Sequence, residues 1–152
     1  MSSKIEVPVH RLPHSRDMAL PAYASPGSAG LDLLAAIEAE TEIAPGDRLL
    51  VPSGISIALP DGYEAQVRPR SGLALKHGLS ILNSPGTVDS DYRGEIGVIL
   101  INHGPAPFIL KRGMRIAQMI VAPVARAALT EVQALPETVR GAAGFGSTGT
   151  GG

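Results

Sequence analysis

Apolar residues in this chain come in short runs that stop at proline or glycine. The runs Leu49–Leu59, Tyr63–Val67, Glu95–Asn102, Phe108–Lys111 and Arg115–Val121 are rich in branched side chains, which suit a pleated, half-buried surface. Thirteen prolines are spread from Pro8 to Pro136, and proline is accepted at strand ends and edges but not inside helices. Gly46, Gly62, Gly94, Gly104 and Gly113 fall in the gaps, where tight turns are needed. The pattern predicts many short strands joined by turns, hence an all-β domain built as a sandwich, jelly roll or barrel. One short helix is predicted at Ser71–His77, opened by a serine cap and stopped by Gly78. No internal repeat is visible. The domain is expected to occupy residues 1–139, with 140–152 as a tail.

Composition narrows the reading. Hydrophobic residues make up 44% of the 152 positions and aromatic residues only 3%, so the core must be built from Val, Ile, Leu and Ala. That leaves three Tyr and two Phe, and a ring outside the core calls for a reason. A chain of this length buries enough surface to fold as one domain without a covalent or metal staple. It has no cysteine, which removes disulfides, Cys-ligated zinc, iron–sulfur clusters and thiol catalysis. Thirteen Lys and Arg against fourteen Asp and Glu leave a net charge of −1. Neither a nucleic-acid polymer nor an anionic membrane is expected as the main partner. No apolar run reaches the ~20 residues that span a bilayer. The first twenty residues carry His, Arg and Asp, unlike a secretory leader, and the expected location is the cytoplasm.

Several motifs fail on context. Gly144–Gly149 (GFGSTG) matches GxGxxG, but a dinucleotide fingerprint needs a strand before it and a helix after it. His10 and His14 have helical spacing, yet Pro13 lies between them. No GxSxG and no thiol are present, so covalent nucleophilic catalysis has no candidate and direct attack by water remains.

Other segments carry chemistry. Pro69–Gly78 puts Arg70, Ser71 and Gly72 at a strand-to-helix junction, where free amides and a guanidinium suit phosphate. In Asn83–Gly94, Pro85-Gly86 forces a turn and Thr87-Val88 can form one arm of a hairpin whose backbone faces a ligand. Asp89 and Asp91 flank Ser90, so on an extended chain both carboxylates would point to one side. One can take a proton from water while the other orients it or is held by a cation. Tyr92 follows and could lie flat against a sugar. Asp32 is a lone carboxylate in an apolar strand and Gln118 a lone amide among core-type residues, and each needs a partner. The tail Arg140–Gly152 holds six glycines in thirteen residues and is expected to be mobile in isolation.

Taken in order, Ala29–Leu33 (AGLDL), Pro69–Ala74 (PRSGLA), Gly86–Tyr92 (GTVDSDY), Arg115–Met119 (RIAQM) and Arg140–Gly149 (RGAAGFGSTG) resemble the five ordered motifs of the trimeric dUTPases, the dUTP diphosphatases. The resemblance spans about residues 25–149. It implies a jelly-roll protomer in a homotrimer, with sites at subunit interfaces and the fifth motif closing over each as a flexible arm. It implies hydrolysis of dUTP to dUMP and pyrophosphate, with Mg²⁺ carried mainly by the triphosphate, in sanitation of the nucleotide pool and supply of dTTP precursors. On that likeness Asp89 is the general base and Gln118 holds the phosphate or the water. Arg70, Ser71 and Gly72 take phosphates, and Asp32 meets Mg²⁺ through water. Asn83 and the Thr87 and Val88 backbone read uracil, Tyr92 stacks on deoxyribose, and Gly97 lines the base pocket. In the arm, Phe145 covers the base, Arg140 and Ser147 reach phosphate, and Gly146 and Thr148 support them. Ala143 stands where the family usually has glycine, and its methyl would hinder arm closure if that position needs positive φ. The alternative readings are a dCTP deaminase-like or bifunctional enzyme, or a non-catalytic nucleotide sensor on the same fold. The Pro69–Gly72 and Asp89–Tyr92 segments favour the hydrolase, and a pure sensor would have no use for Asp89.

Overall fold

The computed structural model describes residues 4–151. Twelve strands and one α-helix follow in order: β1 Val9–Arg11, β2 Ala22–Tyr23, β3 Leu31–Leu34, β4 Thr41–Ile43, β5 Arg48–Pro52, β6 Ile55–Ile57, β7 Tyr63–Arg68, α1 Ser71–His77, β8 Leu79–Ile81, β9 Gly86–Val88, β10 Gly97–Asn102, β11 Phe108–Leu110 and β12 Arg115–Pro123. The predicted run Leu49–Leu59 is two strands, because Gly54 adopts φ +76° and turns the chain between them. All pairings are antiparallel, in sheets ordered β2-β3-β12-β7-β9, β5-β10-β8, β1-β6 and β4-β11. The result is an all-β domain, as the short, proline-punctuated runs predict, and it has the jelly-roll form that the resemblance implies.

Between the sheets lies an aliphatic core. Leu33, Val51, Leu79, Ile96, Val98, Leu100, Leu110 and Ile116 are fully or almost fully buried, with Phe108 as the only buried ring among the described residues. Tyr23, Tyr92 and Phe145 are exposed, so three of the scarce aromatics are spent on the surface. Asn102 is fully buried and satisfied on both sides. Its amide donates to the carbonyls of Ile43 and Ala106, both at 2.9 Å, and its oxygen accepts from the Gly104 amide at 2.8 Å. It thereby ties the end of β10 to β4 and the loop after it, in a core where an unpaired polar group would cost ~1–3 kcal/mol.

The helix is where the sequence placed it, and Gly78 closes it with φ +69° in the left-handed region. The cap differs. Arg70 holds the N-cap position with extended backbone and no side-chain cap bond, so Ser71 is the first helical residue and not the cap. No residue of α1 is fully buried; it rides on the body through half-buried Leu73.

The strand ladder ends at Pro123, short of the division expected at residue 139. From 125 to 139 the chain is exposed, including Leu129 at 95% and Val139 at 111%. Hydrogen bonds between residues 138 and 149 stay local, as in Gly141 to Thr138 and Ser147 to Gly144, each 3.1 Å. These turns lie apart from the core.

Candidate active site

The five-stranded sheet builds the first half of the site. Asp32 on β3 pairs with Gln118 on β12, which pairs with Arg68 on β7. Residues paired in this way share a face, and here the face points outward while Leu33, Ala117 and Val67 point into the core. Just beyond Arg68 the chain turns at Pro69 and starts α1, which brings Arg70, Ser71 and Gly72 over the same row. Together with Ser28, Ala29 and Gly30 they line a cleft of about 240 Å³ that contains Asp32 and Gln118.

Contacts within this cleft assign work to the two lone polar groups. Arg70 Nε lies 3.2 Å from Asp32 Oδ1, and Arg115 Nη1 lies 3.4 Å from Oδ2. Arg70 Nη1 also donates to the Arg115 carbonyl at 3.1 Å. Asp32 therefore holds two guanidiniums side by side, and two cations against one carboxylate leave the cleft suited to an anion. Arg115 reaches Asp32 because β12 carries a bulge between Arg115 and Ala117, a device that re-aims a side chain. Gln118 donates through Nε2 to the Pro69 carbonyl at 3.0 Å, which fixes its amide and leaves its oxygen to accept. Gly30 makes room: a Cβ there would press on Gln118 Cβ at 3.0 Å and Oε1 at 3.2 Å. Sequence reading missed the roles of both Arg115 and Gly30, although each stands inside a quoted motif.

Asp89 sits elsewhere. Val88 pairs with Ala65 on β7, so Asp89 falls level with Glu64, four strand positions from the register of Gln118. That is about 13 Å along the strands, with two inter-strand spacings of about 10 Å across. Asp89, Thr87 and Asp91 line a separate cleft of about 580 Å³ with Asp61, Tyr63, Glu64 and Arg126. The Asp-x-Asp segment is not extended, as the sequence suggested. The Tyr92 amide donates to the Asp89 carbonyl at 3.2 Å, making Asp89–Tyr92 a turn, and the Arg93 guanidinium bonds the Ser90 and Tyr92 carbonyls at 2.7 and 3.0 Å. Both carboxylates still line one cleft.

Around this second half, Asn83 and Thr87 are exposed and Val88 is buried. The pairing of Leu100 with Ile81 carries Gly97 to the level of the Asn83–Pro85 turn, where its bare Cα also faces exposed Leu50. Tyr92 keeps its ring outward and donates its hydroxyl to the Glu95 carbonyl at 2.9 Å. Arm residues Arg140, Phe145, Gly146, Ser147 and Thr148 are exposed. In the arm Gly141, Gly146 and Gly149 have positive φ, as does Phe145 at +51°, while Ala143 does not, so its methyl meets no left-handed strain in this conformation. Arg140 Nε donates to the Ala143 carbonyl at 2.9 Å.

Among the described residues no three His, Asp or Glu side chains converge on a metal position. Asp32 spends one contact per oxygen on arginine, which leaves lone pairs for the water of a hydrated cation. That donor set fits Mg²⁺ brought by a phosphate chain, the usual arrangement for this ion, rather than a resident cage.

The scaffold defines an all-β jelly-roll protein, with a surface cleft that carries two guanidiniums. Solved phage enzymes share this fold. The dUTPase of Staphylococcus bacteriophage 80alpha, in a mutant form with dUpNHpp, superposes with a TM-score of 0.86 at 22% identity over 97% of this chain and 100% of that chain. The dUTPase of phage phi11 of S. aureus, whose structure describes the coordination of a structural Mg(II) ion, gives a TM-score of 0.76 at 20% identity over 86% and 98%. The dUTPase family model matches residues 16–149, and the chain belongs to the dUTPase family. It is thus an enzyme with that family's hydrolase activity, dUTP diphosphatase. Among the described residues no helix is long and apolar enough to cross a membrane.

Proposed function

We propose that this chain hydrolyses dUTP to dUMP and pyrophosphate at centres that are complete only when protomers associate as a homotrimer. The separation of the two half-sites carries this reading. A phosphate group is about 3 Å across, and no single phosphorus can lie beside both Gln118 and Asp89 of one protomer. A second copy must bring its Asp89 turn to the Arg70 cleft. The outer face of the β5-β10-β8 sheet supports association: Leu50 pairs with Ile99, the Leu82 amide donates to the Ile99 carbonyl at 2.9 Å, and Leu50 and Leu82 are 65% and 48% exposed. An apolar row of this kind wants a partner.

In the assembled centre Asp89 takes a proton from a water in line with the α-phosphorus. A carboxylate is a weak base in solution, so its contribution comes from holding that water in position. Arg70, Ser71 and Gly72 bind the phosphate oxygens, and Gln118 offers its free oxygen to the water or steadies the phosphate. Asp32 keeps Arg70 aimed and can meet the hydration shell of Mg²⁺. When bound, Mg²⁺ neutralises phosphate charge as the leaving pyrophosphate departs. Asn83, the Thr87–Val88 backbone and Gly97 form a pocket for uracil that excludes a 5-methyl group, and Tyr92 takes the face of the deoxyribose. The arm folds over the nucleotide, with Phe145 on the base, Arg140 and Ser147 on phosphate, and Gly146 and Thr148 shaping the approach. The biological role that follows is keeping uracil out of DNA while supplying dUMP, in the cytoplasm and without a nucleic-acid or membrane partner.

Release of pyrophosphate in the presence of Mg²⁺ tests the chemistry: dUTP is expected to be consumed at least a hundredfold faster than dTTP, dCTP or UTP. Deamination of dCTP instead would establish the rival reading. Mixing tests the composite centre. Arg70→Ala and Asp89→Asn protomers, each inactive alone, are expected to regain activity when co-refolded, because some interfaces then pair an intact cleft with an intact Asp89. If the mixture stays as inactive as its parts, each protomer owns its whole site.

A further inference from the structure

The turn that carries Asp89 and Tyr92 has few ties to the body. Outside the strand ladder, and among the described residues, the hydrogen bonds of Asp89–Gly94 all stay within residues 89–95. Two ties to the body follow directly: the Ile96 amide donates to the Ile55 carbonyl at 2.9 Å, and the side chain of Glu95 reaches across to the β5–β6 turn. Its Oε1 accepts the Gly54 amide at 2.7 Å and also lies 2.7 Å from His14 Nε2. The anchor it grips is rigid. The Gly54 carbonyl accepts Ser15 Oγ at 2.6 Å and the Leu12 amide at 2.9 Å. Ser15 is buried, and any side chain on Gly54 would collide with it. On the other side, the Glu95 carbonyl receives the Tyr92 hydroxyl at 2.9 Å. A methyl on Gly94 would strike that hydroxyl, so the hydroxyl end of the ring packs closely against Gly94.

We propose that Glu95 is a positioning residue for sugar selection: its carboxylate, clamped between Gly54 and His14, fixes the main-chain carbonyl that holds the Tyr92 ring at its standoff from the sugar. This rests on the reading of Tyr92 as the face against deoxyribose. Without the carboxylate the Glu95 carbonyl is held from one side only, through the Ile96 amide on the Ile55 carbonyl, and a ring that shifts with it admits a 2′-hydroxyl, which is a loss of specificity and not of turnover. Glu95 touches no substrate. It acts through a backbone oxygen 2.9 Å from the tyrosine hydroxyl, and His14 acts one step further out.

The test compares kcat/KM for dUTP and UTP in the full-length enzyme with Mg²⁺. Glu95→Ala is expected to lower the dUTP/UTP ratio about tenfold, mainly by improving KM for UTP, with little change in kcat for dUTP. Glu95→Gln keeps an acceptor for the Gly54 amide and is expected to restore most of the ratio. Glu95→Asp is too short to reach the anchor and should behave like alanine, which keeps the test open if Glu95→Ala does not fold. Tyr92→Phe retains the ring without the hydroxyl and should lower the dUTP/UTP ratio as Glu95→Ala does, and the double variant should lower that ratio no further than either single change, as expected for residues acting through one contact. An unchanged ratio in Glu95→Ala or Glu95→Asp, with Tyr92→Phe lowering it, overturns the role of Glu95 alone. If Tyr92→Ala leaves the ratio intact, the reading of Tyr92 fails and the proposal falls with it.

Discussion

Asp89→Asn is expected to cut kcat for dUTP by ~10²–10⁴, the usual contribution of a positioned general base, while changing KM by no more than a few-fold. The substitution is nearly isosteric and the residue is exposed, so the fold should not respond and lost turnover can be assigned to chemistry. An amide still aligns a water by hydrogen bonding but cannot take its proton. Asp91→Asn is the informative control, because the turn brings both carboxylates to one cleft. The assignment requires the Asp91 variant to lose far less. Should Asp89→Asn retain kcat within tenfold of the parent, or should Asp91→Asn prove the more damaging, Asp89 is not the base.

Removal of residues 140–152 should leave the fold intact and lower kcat/KM for dUTP about a hundredfold, equivalent to ~2.7 kcal/mol of transition-state binding. The two halves of this expectation have separate structural grounds. The last strand ends at Pro123 and the arm bonds to its own turns, so thermal unfolding should move by only a degree or two. Ordering the arm costs roughly 1 kcal/mol or more of backbone entropy per residue, offset in part by turns that already exist in the free chain. Only contacts with a charged, stacking ligand supply the remainder. Equal rates for truncated and full-length enzyme would make the segment an inert end. Phe145→Ala refines the picture, since a ring that is 114% exposed has no structural role to lose.

Much of this was legible in the residues because short-range rules governed it. Proline spacing and branched runs marked β7, β10, β11 and β12 to within a residue or two, and Gly78 marked the end of the helix. Residues of four of the five motifs line the two clefts. What the sequence hid were consequences of three-dimensional contact. The break between β5 and β6 depends on Gly54 packing against Ser15, thirty-nine residues earlier in the chain. The Asp89–Tyr92 turn is braced by Arg93, and that bracing defeats the alternation that an extended strand would show. Asp32 also binds Arg70 and Arg115, the latter delivered by a bulge that no periodicity announces. Among the described residues of the arm Gly141, Phe145, Gly146 and Gly149 are left-handed, and Ala143 is not. The last strand ends at Pro123, and beyond it Leu129, Val132 and Leu135, which look like core residues in a string of letters, are exposed.

The distance between the Gln118 cleft and the Asp89 turn has a bearing on how such an enzyme behaves at low abundance. If neither half can act alone, a lone protomer is chemically silent towards every nucleoside triphosphate it meets, ATP and GTP included. Dilution below the point of subunit dissociation would then switch turnover off altogether, and specific activity would climb steeply with enzyme concentration before reaching a plateau. Newly made chains would pose no hazard to the cell's energy currency until they had found one another.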